Sequence, residues 1–276
     1  MLSKTYFLTI KGEKSILFRQ WDVQAPKACV CLLHGLGNHS LSFQSLADSL
    51  LENKISVCAI DWYGHGESYG RRGHLNSFEI VYKELDMFLA EVDKLYPNIP
   101  KILYGHGLGG NIILDYYLTH KLRIQGLIIS APWFKLSNPP VKIVISLSNI
   151  LRFILPKMAI KIYSNLLDFT RDEVEYTKLL KDSLVHNKIS FKLYFLASTI
   201  GKRAIGRGYR INKPMLLMHG TGDNITSHKA SIDFSRNTGH FTLFKSWPEA
   251  FHDLHNDVNR NEIFSYVNKW IKDKIL

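Results

Sequence analysis

Continuous apolar runs recur along the chain and alternate with runs that have helical spacing. Ala28–Leu33 and Ile55–Ile60 are almost entirely apolar, as expected of strands that are buried on both faces of a sheet. Shorter strand-like runs follow at 102–104, 124–130, 214–218 and 241–244, and helical spacing is found at 41–51, 78–95, 111–118 and 262–275. Strands that alternate with helices predict an α/β fold with a mostly parallel central sheet and helices on both faces.

Two parts of the chain depart from this alternation. Residues 5–10 and Ser15–Trp21 predict an N-terminal hairpin. Residues 134–212 are largely helical in pattern and contain no clear buried strand. We therefore predict a core formed by residues 1–133 and 213–276, with residues 134–212 inserted as a helical cap above the sheet. Ligands are expected at the carboxyl ends of the strands.

The composition narrows the class of protein only slightly. The chain has 276 residues, of which 46% are hydrophobic and 21% charged, and its net charge is +11. We find no zinc-finger spacing or RNA-binding signature, so nucleic acid is not expected as a partner. The cysteines Cys29, Cys31 and Cys58 lie in apolar runs, and the first residues lack the pattern of a signal peptide. These features predict a cytoplasmic protein in a reducing compartment.

The stretch LYGHGLGGN at residues 103–111 leads from a strand-like run into a helical one. Gly105, Gly107 and Gly110 match the phosphate-binding pattern G-x-G-x-x-G. The same stretch also matches a nucleophile elbow, G-x-S-x-G, with Gly107 in the place of the serine. A dinucleotide site would need an acidic residue about 20 positions further on, where the chain has Ile128, and a P-loop would need a lysine. The phosphate interpretation is therefore the weaker one.

An elbow requires an oxyanion site, a general base and an acid, in the chain order nucleophile, acid, base. Downstream, Asp223 follows a strand and a tight turn, and His252 lies just past the last strand. Each also has a simpler explanation, since Asp223 could cap a helix and His252 could be a surface histidine. Their order and spacing favour a catalytic pair. Upstream, the turn at 34–37 could present a backbone N–H to the site.

Several dispersed segments resemble one known family. They are HGLGNHS (34–40), DWYGHGES (61–68), YGHGLGG (104–110), LLMHGTGD (216–223) and AFHDLHND (250–257). In this order, and over nearly the whole chain, they resemble the α/β-hydrolases of the monoacylglycerol lipase and lysophospholipase group. The resemblance implies that Asp223 orients the base His252 and that the amides of Leu36 and Leu108 form the oxyanion hole. It also implies a lipid-like ester, a monoacylglycerol or lysophospholipid, as substrate.

Gly107 stands where the resembling family has its nucleophilic serine. Glycine tolerates the strained conformation of an elbow without steric cost, so we expect the fold to survive. It has no oxygen to attack a carbonyl, so we expect no hydrolysis through an acyl-enzyme. Either an active parent carries an introduced change, or the chain is a natural pseudoenzyme that binds lipids without catalysis. No cofactor is expected, and no metal site, because no third ligand shares a spacing with the histidines and carboxylates.

The first part of the insertion is basic and amphipathic. Between residues 135 and 167 there are basic residues and no acidic ones before Asp168, and Ile150, Leu151 and Ile154 continue a helical apolar spacing that begins at Ile143 and Leu147. The basic residues are Lys135, Lys142, Arg152, Lys157 and Lys161. This pattern is typical of contact with a membrane surface, although a cap helix that packs over the pocket would look the same. Pro156 is expected to end or kink the helix.

Overall fold

The computed structural model describes residues 2–9, 15–139, 150–162 and 166–276. Within them the strands are Lys4–Thr9 (β1), Ser15–Trp21 (β2), Ala28–Leu33 (β3), Ile55–Ile60 (β4), Lys101–His106 (β5), Gly126–Ser130 (β6), Ala159–Lys161 (β7), Lys188–Ser190 (β8), Met215–Gly220 (β9) and Thr242–Trp247 (β10). The α-helices with complete bounds are Gln44–Glu52 (α1), Glu79–Leu95 (α2), Leu108–Thr119 (α3), Glu173–Lys181 (α4), Phe191–Arg207 (α5), His228–Arg236 (α6) and Arg260–Lys274 (α7). Short 3-10 turns lie at Ser40–Phe43, Leu166–Asp168, Gly208–Arg210, Gly239–Phe241 and Leu254–Asn256.

Among the described residues, eight strands form one sheet in the order β1-β2-β4-β3-β5-β6-β9-β10. β1 pairs with β2, and β2 with β4, in antiparallel fashion. From β4 to β10 every pairing is parallel. The predicted N-terminal hairpin and mostly parallel sheet are therefore confirmed. Because neighbouring parallel strands end at the same edge, the loops after β3, β5, β9 and β10 meet there.

The sheet is covered on both faces because its strands alternate their side chains. On β3, Cys29 and Cys31 belong to a core cluster that includes apolar residues of α2, α3, α5 and α6. Val30 and Leu32 point to the opposite cluster, which includes apolar residues of α1 and α7. The three cysteines are free and buried. Two packed layers thus hold the strands of the sheet rigidly in place.

Helix boundaries differ from the predicted ones by a few residues, and one difference matters for the site. The sequence pattern predicts a helix from residue 111, whereas α3 begins at Leu108. Gly109 and Gly110 are therefore inside the helix, Gly105 is still in β5, and the change of direction between β5 and α3 is made at Gly107. This geometry places the backbone N–H of Leu108 in the first turn of the helix, where it has no intrahelical acceptor.

The insertion contains a strand pair that the sequence pattern did not reveal. β7 and β8 pair antiparallel over three residues each, and such short strands are too brief to show a period. Helix α5, although it lies within residues 134–212, packs directly on α3. Its Arg203 forms an ion pair with the fully buried carboxylate of Asp115 in α3, which also accepts a hydrogen bond from the Tyr82 hydroxyl. The division into core and cap remains a prediction, but this end of the insertion is fastened to the core.

Part of the predicted amphipathic segment, residues 140–149, lies outside the described residues, as do residues 163–165. The described part is helical at 150–154 and turns at Pro156, as expected from the proline. Its side chains Phe153 and Ile154 are 70% and 68% exposed. In the part of the chain that the structure describes, no helix combines the length and hydropathy needed to cross a bilayer.

Candidate active site

Gly107 links the end of β5 to the start of α3 in a sharp turn. Its φ of 55° and ψ of −123° lie in a region that residues with a side chain seldom adopt. The Gly107 N–H donates a hydrogen bond to the carbonyl of Ser130, 2.9 Å away, on the neighbouring strand. Gly109 allows the loop after β3 to lie close, since a Cβ there would be only 2.4 Å from the His34 carbonyl oxygen. The turn therefore has the shape of a nucleophile elbow.

Asp223 lies after β9 and faces the loop that follows β10. Its Oδ1 accepts hydrogen bonds from the N–H groups of Ile225 (2.7 Å) and Thr226 (2.9 Å). Its Oδ2 accepts from Nδ1 of His252 at 2.8 Å and is 3.0 Å from Nε2 of His219. The carboxylate is thereby fixed in orientation, and the His252 ring presents its other nitrogen, Nε2, away from it.

Electrostatics reinforce this pairing. Burial alone would raise the pKa of Asp223, but the nearby His252 and the hydrogen bond from His219 outweigh it and hold that pKa well below its ordinary range. Burial would lower the pKa of His252, but the charge and the hydrogen bond of Asp223 outweigh burial and raise it. An ionised carboxylate therefore stabilises the protonated form of the imidazole, which is what a general base needs after it has accepted a proton.

The direction of a side chain at position 107 decides whether these groups converge. A Cβ built on Gly107 would lie 3.3 Å from Nε2 of His252. The distance is short enough that a hydroxyl on that Cβ would be within hydrogen-bonding range of the ring. The structure thus brings together position 107, His252 and Asp223, three residues that are far apart in the sequence.

Leu36 and Leu108, the residues expected to form the oxyanion hole, line one small cavity with Gly107 and His252. The cavity measures about 10 Å³, room for roughly one water molecule. Within the described part of the chain, neither the Leu36 nor the Leu108 N–H donates a hydrogen bond to a main-chain carbonyl. Trp133 and Phe169 also line the cavity. Unpaired amide donors beside a histidine nitrogen are the arrangement that stabilises a developing oxyanion.

A family model described as serine aminopeptidase, S33, matches residues 24–259, from just before β3 to the residue before α7. The chain belongs to this S33 family. The matched range includes every residue of the cavity described above.

Among the members of the S33 family, this chain is similar to monoacylglycerol lipases. It is 28% identical over 278 residues to monoglyceride lipase of Rattus norvegicus, covering 96% of this chain and 90% of that protein. The crystal structure of the monoacylglycerol lipase of Paleococcus ferrophilus matches with a TM-score of 0.85 at 27% identity, over 94% of this chain and 99% of that one. The chain is therefore an α/β-hydrolase of the monoacylglycerol lipase type, as the sequence resemblance predicted.

A further relative is longer than this chain. An uncharacterized abhydrolase domain-containing protein of Dictyostelium discoideum is 31% identical over 283 residues, which cover 100% of this chain but only 30% of that protein. The chain thus spans less than a third of that relative's length. The α/β-hydrolase unit is accordingly found both nearly alone, as in the rat protein, and within a larger protein.

One contributor to the S33 site was missed by sequence reasoning. The hydroxyl of Thr226 donates to Oδ2 of Asp223 at 2.7 Å and lies 3.2 Å from Nδ1 of His252. It therefore braces the contact between the two residues. Its position three residues after Asp223 was a signal, because an aspartate in a turn accepts hydrogen bonds from backbone N–H groups of the residues that follow it, as Asp223 does from Thr226. Ser227, in contrast, caps α6 through its bond from the Ala230 N–H, which leaves Asp223 free of that duty.

Proposed function

We propose that this chain has the scaffold of a carboxylic ester hydrolase of the monoacylglycerol lipase or lysophospholipase type and that, with glycine at position 107, it is hydrolytically inactive. The observation that carries the proposal is the 3.3 Å separation between a Cβ at position 107 and Nε2 of His252. It supports the assignment of position 107 as the nucleophile position. In this proposal, His252 is the general base and Asp223 is the acid that orients it.

With serine at position 107, the chemistry would follow from these contacts. His252 would take the hydroxyl proton through Nε2 while the oxygen attacks the ester carbonyl. The amides of Leu36 and Leu108 would hold the resulting oxyanion. The acyl-enzyme would then be hydrolysed by water that is activated by the same imidazole. With glycine, the first step has no attacking oxygen, and only binding and oxyanion stabilisation are left.

Two accounts of Gly107 are compatible with the rest of the site. In the first, the glycine replaces the serine of an active hydrolase. In the second, the chain is a non-catalytic protein that binds lipid-like molecules in the pocket of its relatives. The retained Asp223–His252 pair favours an active or recently active ancestor, because nothing in a purely binding protein requires that pair. We propose monoacylglycerols or lysophospholipids as the ligands in either case; the names of the similar proteins are in line with the first of these.

The test compares the chain with a Gly107→Ser variant. The chain itself should hydrolyse p-nitrophenyl butyrate no faster than its His252→Ala variant. Gly107→Ser should gain esterase activity and react with a fluorophosphonate probe, because loss of the serine from a serine protease costs about 10⁶ in turnover. The double variant Gly107→Ser, His252→Ala serves as the matched control and should lose both. A folded Gly107→Ser variant that is inert to probe and substrate would contradict the assignment.

We also propose that the cap touches a lipid surface, as a cytoplasmic protein that associates peripherally with membranes would do. Among the described residues, four apolar side chains between residues 150 and 158 are at least half exposed: Ile150, Phe153, Ile154 and Met158. Arg152 lies in the same segment, with its guanidinium 3.3 Å from the centroid of the Phe195 ring. Exposed apolar side chains beside basic ones suit the boundary between headgroups and acyl chains.

Vesicle sedimentation tests this contact. The chain should sediment with phosphatidylcholine vesicles and more strongly when phosphatidylserine is added, since the net charge is +11. Phe153→Asp should reduce the bound fraction severalfold. Val258→Asp is the control, because Val258 is also exposed (52%) but lies outside the insertion. Equal effects of both variants would argue against a lipid-binding surface on the cap.

A further inference from the structure

A second group of titratable side chains lies against the wall of the cavity at Gly107. His106, Asp253 and His255 are each at most 2% exposed, and one potential ligand atom of each lies within 4.8 Å of the others. His106 is the last residue of β5, and it is 147 positions from Asp253 in the sequence. The fold, and not the local sequence, brings this trio together. Among the described residues no other group of three such side chains lies as close together.

His255 has unmet hydrogen-bonding capacity. Its ring stacks on Phe43 with a centroid separation of 3.9 Å, and among the described residues neither of its ring nitrogens has a hydrogen-bond partner. Leaving a buried polar group unsatisfied costs about 1–3 kcal/mol. Its Nε2 is 4.0 Å from Oδ2 of Asp253, too far for a hydrogen bond but close enough for both atoms to contact one intervening ion.

Asp253 contacts both histidines of the trio. Its Oδ1 is 3.0 Å from Nε2 of His106, and its Oδ2 is 4.0 Å from Nε2 of His255. The buried carboxylate therefore presents one oxygen to each ring.

We propose that His106, Asp253 and His255 form a binding site for a divalent transition-metal ion of the zinc type. Two imidazoles and a carboxylate are a common donor set for Zn²⁺, which binds nitrogen and oxygen at about 2.0–2.2 Å. Ser130 supports this role, since its hydroxyl lies 3.4 Å from Nδ1 of His106 and can orient the ring for coordination through Nε2. The ion would give His255 the partner that its ring nitrogens lack among the described residues.

The distances show what binding requires. Tetrahedral bonds of this length separate donor atoms by roughly 3.4 Å. Nε2 of His106 is already 3.0 Å from Oδ1 of Asp253, but the widest pair, at up to 4.8 Å, must close by roughly 1 Å. Coordination through Nε2 would move the proton that His106 shares with Asp253 to Nδ1, which faces the Ser130 hydroxyl, and binding should weaken as the pH falls because protonated ligands cannot hold the ion. Because His106 and Asp253 line the cavity, the proposed ion site adjoins it.

The proposal does not depend on the proposed ester chemistry, and its test uses binding alone. The full chain, stripped with chelator, is titrated with Zn²⁺ by calorimetry and with Co²⁺ by visible absorption. We expect one equivalent of Zn²⁺ per chain, intense d–d bands of four-coordinate Co²⁺, and a melting temperature that rises with Zn²⁺. His255→Phe and Asp253→Asn should each weaken Zn²⁺ binding at least tenfold, whereas His240→Phe, at an exposed histidine, should not.

Two results would overturn the proposal. One is a chain that binds no Zn²⁺ below 100 micromolar, on the order of the concentrations used in such titrations. The other is binding that survives both His255→Phe and Asp253→Asn, which would place the ion on surface histidines. If His255→Phe does not fold, the loss of the zinc-dependent rise in melting temperature in Asp253→Asn decides the question.

Discussion

A single methyl group at position 107 tests the turn on which the site depends. In Gly107→Ala the residue must keep a φ of 55°, a conformation that costs about 1–3 kcal/mol for a residue with a Cβ. The new Cβ would also lie 3.3 Å from Nε2 of His252, so that the ring must give way by a few tenths of an ångström. Both effects act in the same direction. We therefore expect the free energy of unfolding to fall by about 1–3 kcal/mol.

Urea unfolding followed by circular dichroism measures this loss, and thermal unfolding should show a melting temperature lower by roughly 2–12 °C. Gly206→Ala is the matched control. Gly206 lies in α5, is exposed, and a Cβ there meets nothing within 4 Å. Replacing a glycine inside a helix should instead raise the free energy of unfolding by about 0.5–1 kcal/mol. The two glycine-to-alanine changes thus have opposite expected signs.

Gly107→Ser should be less destabilised than Gly107→Ala. It bears the same backbone strain, but its hydroxyl can bond Nε2 of His252 and recover about 1 kcal/mol. If Gly107→Ala is as stable as the parent chain while Gly206→Ala behaves as expected, residue 107 does not hold a positive φ in solution. The elbow, and with it the convergence on His252, would then be refuted.

Two further predictions concern buried carboxylates. Burial raises the pKa of Glu84 from its ordinary 4.5 to about 7, so the stability that its proton confers is complete below pH 4.5 and is lost as the pH rises through 7. In urea unfolding, the free energy of unfolding of Glu84→Gln relative to that of the parent chain should rise by about 3 kcal/mol between pH 4.5 and 8. A difference between the two chains that does not change with pH would contradict this. Arg203→Met removes the ion-pair partner of the buried Asp115 carboxylate and should lower the free energy of unfolding by about 3–5 kcal/mol at pH 7. Arg207→Met, one turn further along α5, should stay within about 0.5 kcal/mol, and an equal loss in both would rule out a special role for the ion pair.

The central strands of the sheet could be predicted because a strand that is buried on both faces is a continuous run of apolar residues in the sequence. Ala28–Leu33 and Ile55–Ile60 were predicted with the same bounds that the structure shows. The loops after β9 and β10 were equally readable, since Asp223 and His252 each follow a strand end in the order that the elbow demands. Position 107 could be singled out for the same reason, because only one residue lies at the centre of the pattern.

Side-chain groupings made across long separations could not be predicted in this way. No local pattern relates His106 to Asp253, because their contact depends on β5 and the loop after β10 ending at the same edge of the sheet. β7 and β8 are each three residues long, shorter than the window in which a period of two can be recognised. The start of α3 was placed too late because glycines read as a turn, although here they pack inside a helix against the loop after β3.

The close fit of Gly109 beneath the His34 carbonyl has a bearing on how this lineage can change. The backbone at 105–110 is held by neighbours that tolerate no bulk, so the bend keeps its shape whichever small residue occupies its apex. Glycine and serine codons can differ by a single base. Under the proposed role of position 107, one base change therefore separates gain from loss of the attacking oxygen, and a survey of natural variants should find both glycine and serine there on one unchanged scaffold.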